Sequence, residues 1–151
     1  GFESRHNLIY WMNEPYLGVG PGAHSWLVGQ RFANLKSPRR YVTVVGNDYK
    51  LQGADPVATM HTPAGPVDQV DITTPAVDIA ETMMMGMRLN KGVSYKRFEE
   101  RFGIGMDIVF PKEISRLLGL ELIEVTDDAV RLTERGRLLG NEVFAEFIGE
   151  G

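Results

Sequence analysis

An imidazole, a carboxamide, a phenol and an indole stand close together near the amino end, at His6, Asn7, Tyr10 and Trp11. His6 and Tyr10 are four residues apart, which puts them on one side of either a helix or a strand. A neutral imidazole is a common ligand of metals and of haem iron, and a tyrosine can also ligate haem iron. Trp11 offers a flat ring to lie against a macrocycle. The same residue types have a second reading, a buried His and Tyr that share hydrogen bonds within an aromatic core. Residue types and spacing leave both open.

A second candidate is the glycine-rich run Gly18-Val19-Gly20-Pro21-Gly22-Ala23-His24-Ser25. Successive glycines let backbone amides approach an anion or a nucleotide closely. The run lacks the lysine of a phosphate loop and the spacing of a dinucleotide fingerprint, so a tight turn at a strand end explains it equally well. Ser25 beside His24 is no nucleophile elbow, because that turn needs glycines two before and two after the serine. His6, His24 and His61 have no metal-ligand spacing, which argues against a zinc enzyme. Met83-Met84-Met85-Gly86-Met87 places four methionines around the whole circumference of a helix, which suits an irregular packing surface better than one directed site. Arg39-Arg40 is a basic pair able to hold a carboxylate or phosphate, or simply to be solvated.

These groups need a scaffold, and the composition provides for one. The 151 residues are 43% hydrophobic and 24% charged, as in a globular protein with a buried core. The net charge of −4 argues against general nucleic-acid or anionic-membrane binding, which need a positive field. With no cysteine, the chain by itself offers no disulfide, zinc–thiolate site, iron–sulfur cluster or cysteine nucleophile. No apolar run is long enough for a membrane span and no leader is visible, so a cytoplasmic location is expected. The start at Gly1, running straight into dense sequence, suggests a piece of something longer.

Two halves differ in grammar. Residues 1–75 hold seven of the eight prolines, all three histidines and both tryptophans, whereas residues 76–151 hold only Pro111 and carry the whole net negative charge. Strands and loops are therefore expected upstream and helices downstream. Upstream, Tyr16 to Gly20 reads as a short strand, Ala23 to Leu35 as a strand or hairpin around Gly29, and Ser37-Pro38 as the start of a short helix. Val42 to Val45 would also suit a strand, and residues 46–75 read as turn and loop. Downstream, Thr74-Pro75 opens a helix reaching about Asn90, Ser94 caps a second ending at Gly103, and Asp107 to Leu118 forms a third. A hairpin follows, Leu120 to Val125 and Ala129 to Leu132 around Asp127-Asp128, and Thr133 starts a last helix with Leu139, Val143 and Phe147 inward. Three helices, a hairpin and a helix make the order of a winged-helix-like domain.

Taken in order, Arg5-His6-Asn7-Leu8-Ile9-Tyr10-Trp11, Tyr16 to Ser25, Arg31 and Asn34 resemble the oxygen-independent coproporphyrinogen III oxidase-like family, nearest to the branch that acts as haem chaperones. The second half resembles that family's C-terminal domain through Glu81 to Leu89, Gly92, Phe98, Arg101-Phe102-Gly103, Gly119-Leu120, Leu132-Thr133, Gly136 and Leu139 to Phe147. The resemblance is weakest from about residue 46 to 73. It implies a radical S-adenosylmethionine protein with a partial (β/α) barrel, whose three-cysteine motif holds a four-iron four-sulfur cluster. A chain without cysteine departs from the family at that centre, so the cluster and S-adenosylmethionine would belong to the parent protein only. The implied fold is α+β: residues 1–73 as the last strands and helix of the partial barrel with a connector, and residues 74–151 as the winged-helix-like C-terminal domain covering the barrel mouth.

The resemblance also implies roles. The haem-associated motif His-Asn-x-x-Tyr-Trp matches at His6, Asn7, Tyr10 and Trp11, which makes His6 the iron ligand. Gly20, Gly22 and Ala23 would form part of a cofactor wall near the barrel's open end. No residue is assigned a catalytic role, because without the cluster this piece cannot start a radical. The expected partners are haem or porphyrin, the missing barrel and a haem acceptor protein, and an exposed barrel edge would favour homodimers. An alternative is the substrate-binding part of a coproporphyrinogen oxidase, with Arg31, Arg39 or Arg40 pairing with propionates. A third reading is an interaction module whose winged-helix-like half contacts protein or nucleic acid; for a DNA groove its electrostatics are poor, since Lys112 and Arg116 share their helix with Asp107 and Glu113.

Overall fold

A computed structural model of the chain describes residues 4–27, 29–46 and 65–148. They fall into two compact units, one of residues 15–74 and one of residues 1–14 together with 75–151. The amino-terminal segment thus packs with the helical half, whereas composition suggested only a boundary near residue 74.

In the unit of residues 15–74, β1 (His24–Leu27) and β2 (Gln30–Asn34) form the anticipated hairpin, with His24 opposite Ala33 and Leu27 opposite Gln30. Gly29 takes φ 73°, a left-handed conformation that glycine enters without a Cβ penalty. α2 (Pro38–Gly46) starts behind Ser37, whose Oγ accepts from the amide of Arg40 at 3.4 Å. The β-branched run Val42 to Val45 is therefore helical, its strand propensity overridden by the start signal. A third strand, β3 (Val67–Ile72), pairs antiparallel with β2 and completes the sheet β1-β2-β3 over buried Trp26, Phe32, Ala33 and Leu35.

Two expectations change here. Tyr16 to Gly20 is not a strand: it makes one isolated bridge, Tyr16 to Trp26, and further on its backbone turns to side chains instead. The expected loop over residues 46–75 contains β3; the part of it from 47 to 64 lies outside the described residues. The β-branched residues Val67, Val70 and Ile72 carry that strand's signal, but the flanking Gly65-Pro66 and Pro75 obscured it. Both pairings are antiparallel, so these three strands do not themselves make the parallel β/α repeat of a barrel.

The other unit contains α1 (Arg5–Trp11), α3 (Pro75–Gly86), β4 (Val93–Ser94), α4 (Tyr95–Phe102), α5 (Met106–Val109), α6 (Pro111–Gly119), β5 (Ile123–Val125), β6 (Ala129–Leu132), α7 (Glu134–Leu138) and α8 (Gly140–Ile148). Its strands form an antiparallel sheet in the order β4-β6-β5, in which Val130 faces both Val93 and Val125. Met83, Met87, Phe98, Met106, Leu117, Val130, Val143 and Phe147 are buried in one core. Met83 and Met87 lie inside while Met84 and Met85 are half-buried, so the methionine tract fills a packing surface.

Helix boundaries differ from the sequence expectation for local reasons. α3 ends at Gly86, four residues early, because the amides of Arg88 and Leu89 turn back to the carbonyls of Met85 and Gly86. The third expected helix divides into α5 and α6 at Phe110-Pro111, where proline has no amide to continue the ladder. The last divides into α7 and α8 at Leu139, with φ −109° and ψ 27°.

Tyr95, at the start of α4, is half-buried, and burial followed by the charge of Asp107 raises its phenol above the ordinary tyrosine value of 10.0. The folded state therefore holds this proton more tightly than the unfolded chain. The resulting stability is complete below pH 10 and is lost as pH rises through the raised value. Urea unfolding at pH 9 and pH 11 is expected to show a smaller alkaline loss in Tyr95→Phe than in the parent.

Candidate functional site

α1 begins at Ser4, whose hydroxyl accepts from the Asn7 amide at 3.5 Å, as serine does at a helix start. His6, Asn7, Tyr10 and Trp11 are all exposed on this helix, which excludes the alternative of a buried His–Tyr pair in an aromatic core. The helical spacing does bring His6 and Tyr10 together. Nε2 of His6 lies 3.3 Å from the Tyr10 hydroxyl, and the rings meet edge to face at 5.1 Å between centroids. The phenol donates if Nε2 is unprotonated and accepts if Nε2 carries the proton. Among the described residues, no group of three or more His, Cys, Asp or Glu is arranged to hold a metal ion.

The helix is exposed, yet its carboxyl end is firmly anchored. Asn13 follows α1 in a left-handed conformation, φ 51°, and is only 3% exposed. Its Nδ2 donates to Asp78 Oδ1 at 2.8 Å and to Thr82 Oγ1 at 3.1 Å, both on α3. Arg101 of α4 donates through Nη1 to the Asn13 carbonyl at 2.6 Å and through Nη2 to the Asp78 carboxylate at 2.8 and 3.1 Å. Glu14 pairs with Arg97. Asp78 lies in the first turn of α3, where the positive end of the helix dipole also favours its charge. Sequence reading missed Asn13, Asp78 and Arg101 as a set. Only Asn13 left a local signal, an asparagine just past a helix end, where left-handed residues cap.

Trp11 meets the guanidinium of Arg88, whose Cζ stands 5.7 Å from its ring centroid and 4.6 Å from that of Phe144. Phe144 is buried in the core, so the stack has a fixed base.

In the unit of residues 15–74, the glycine run has already committed its amides. Gly18 donates to Ser25 Oγ at 2.9 Å, Gly20 to the Tyr41 hydroxyl at 3.3 Å, Gly22 to the Leu35 carbonyl at 3.0 Å and Ala23 to the Gly20 carbonyl at 3.3 Å. Buried Asn34 donates to the carbonyls of Gly18 and Gly20. This is a self-satisfied turn, not an open anion cradle. Arg31 stacks on Trp26 at 5.3 Å, while Arg39 and Arg40 are exposed at the start of α2. On α6, Arg116 is paired with Glu146 at 3.2 Å, which further weakens that helix as a nucleic-acid surface.

Comparison with known proteins adds relatives. Residues 73–139 match the HemN C-terminal domain family. The chain is 39% identical to a heme chaperone HemW of Bacillus subtilis over 99% of its own length and 36% of the relative's. It is 28% identical to a heme chaperone HemW of Lactococcus lactis over 98% of the chain and 35% of the relative. It thus spans about a third of the length of these relatives. The solved structure of coproporphyrinogen III oxidase (HemN) from Escherichia coli, a radical SAM enzyme, is similar with a TM-score of 0.56 over 89% of the chain and 28% of that protein. At 18% identity that likeness concerns the fold alone.

Proposed function

We propose that the chain is part of a haem chaperone of the oxygen-independent coproporphyrinogen III oxidase-like family, a reading supported by its match to the HemN C-terminal domain family and its likeness to heme chaperone HemW, and that it binds haem with α1 as the contact. The observation that carries this reading is the exposed His6–Tyr10 pair on a helix clamped to that domain through Asn13, Asp78 and Arg101. Haem is cargo in this scheme. His6 supplies a ring nitrogen to the iron, Tyr10 orients the imidazole by its hydrogen bond, and Asn7 and Trp11 form the adjoining stripe one helical turn apart. An exposed ligand helix suits a protein that must release its cargo to an acceptor, since no buried pocket has to open.

Binding is the assigned role, and radical chemistry is not. With no cysteine in the sequence, these residues do not fit an iron–sulfur cluster, and no step is derived through one. Cluster and S-adenosylmethionine are assigned to a longer protein of which this would be the C-terminal part, together with the barrel that the winged-helix-like domain would cover. In that setting Gly20, Gly22 and Ala23 would contribute close backbone approach to a cofactor wall rather than amide donors.

The test is a haemin titration of the chain followed by its Soret band. Wild type is expected to shift the band, and His6→Ala to weaken binding by about tenfold or more. An unchanged shift in His6→Ala removes α1 from the function. Conversion of coproporphyrinogen by a full-length protein that binds no haem would favour the oxidase alternative.

A further inference from the structure

We infer that Arg88 is a carboxylate anchor for the porphyrin held at α1, gripping a propionate beside Trp11; this rests on the haem-binding reading above. Arg88 is exposed on the turn that leaves α3, and its backbone is fixed by its amide's bond to the Met85 carbonyl at 3.1 Å and by buried Met87 before it. The guanidinium lies 4.6 Å over buried Phe144 and 5.7 Å from Trp11. Stacking on ring faces holds the plane of an arginine and leaves its N–H edge directed outward.

Charge pairing separates Arg88 from its neighbours. Arg97 and Arg101 are both paired with carboxylates of the same unit. Among the described residues no carboxylate pairs with Arg88, so this fork remains available to an external anion. The five-residue rise from His6 to Trp11 is about 7.5 Å along the helix. A porphyrin whose iron stands at His6 reaches that far with its ring edge and its propionate arm. A carboxylate arriving there meets a rigid, planar, doubly donating cation, which suits bidentate pairing. The device selects a porphyrin with free acid arms over one without.

Haemin and haemin dimethyl ester, titrated against wild type, Arg88→Gln, Arg88→Lys and His6→Ala, test this. Arg88→Gln is expected to weaken haemin binding by about tenfold and to leave the ester's binding unchanged. Arg88→Lys should lie between, because it keeps the charge and loses the fork. If Arg88→Gln weakens haemin and ester equally, the arginine only shapes the site, and the proposal falls. If Arg88→Gln leaves haemin binding intact while His6→Ala weakens it, the anchor is wrong and the haem reading stands. A wild-type chain that binds neither ligand overturns both.

Discussion

Gly136→Ala is expected to destabilise the helical unit by more than about 3 kcal/mol, a fall in melting temperature of roughly 10 °C or more. A methyl group on Gly136 would overlap the Leu122 carbonyl oxygen, and that oxygen cannot retreat. It accepts from the Thr133 amide at 3.1 Å, and Thr133 in turn donates its hydroxyl to the Glu121 carbonyl at 2.7 Å. The same Thr133 Oγ1 receives the Gly136 amide at 2.9 Å, capping α7. Helix start, strand start and turn are therefore bonded into one block with no slack. Two other glycines separate this close approach from the usual cost of replacing glycine. Gly103 closes α4 at φ 70° with nothing near its missing Cβ, so Gly103→Ala should cost only about 1 kcal/mol. Gly119 has open space and no unusual φ, so Gly119→Ala should be close to neutral or slightly stabilising. Thermal melts of the three variants check the ranking; equal losses would refute the packing argument.

The second large effect concerns the anchor of α1. Asp78→Ala removes the acceptor shared by Asn13 and Arg101 and leaves a largely buried guanidinium without its partner. The expected cost is about 2–4 kcal/mol, concentrated at the junction between α1 and α3. Asp78→Asn should fall between, since an amide oxygen still accepts but without charge. The readout is local: protection of the α1 amides from hydrogen exchange, or the rate of cleavage within residues 4–14 by limited proteolysis. In Asp78→Ala, α1 should exchange and be cut faster while the core strands β4 to β6 keep their protection. If haem binding needs a docked α1, the same variant should also weaken haemin binding although it touches no ligand. Unchanged protection of α1 would show that the clamp is ornamental.

Much of the helical half was legible because its signals are local. Ser94 and Gly103 bracket α4 as their types require, and Thr133 caps α7. The turn at Gly29 joins the predicted hairpin in the other unit. The reading failed where backbone groups chose partners distant in sequence. Tyr16 to Gly20 has the composition of a strand, but its pairing with β1 stops at the Tyr16–Trp26 bridge, because Ser25 and Asn34 take the polar groups of its glycines. β3 pairs with β2 across more than thirty residues of chain, a distance over which no local propensity can speak.

By itself the sequence determined the ingredients: the His6, Asn7, Tyr10, Trp11 set, the absence of thiolates, the alternation of helix caps, and a run of shared motifs sufficient to indicate a family. Only the tertiary structure decided that α1 belongs with residues 75–151, that His6 and Tyr10 face outward, and that Arg88 stands beside Trp11. The reason is physical. Caps and turns are satisfied by residues three or four positions away, so their chemistry can be read along the chain. Burial and charge pairing depend on which distant surfaces meet. The contact of Arg88 with Trp11 joins residues 77 positions apart (88 − 11), which no pattern along the chain encodes.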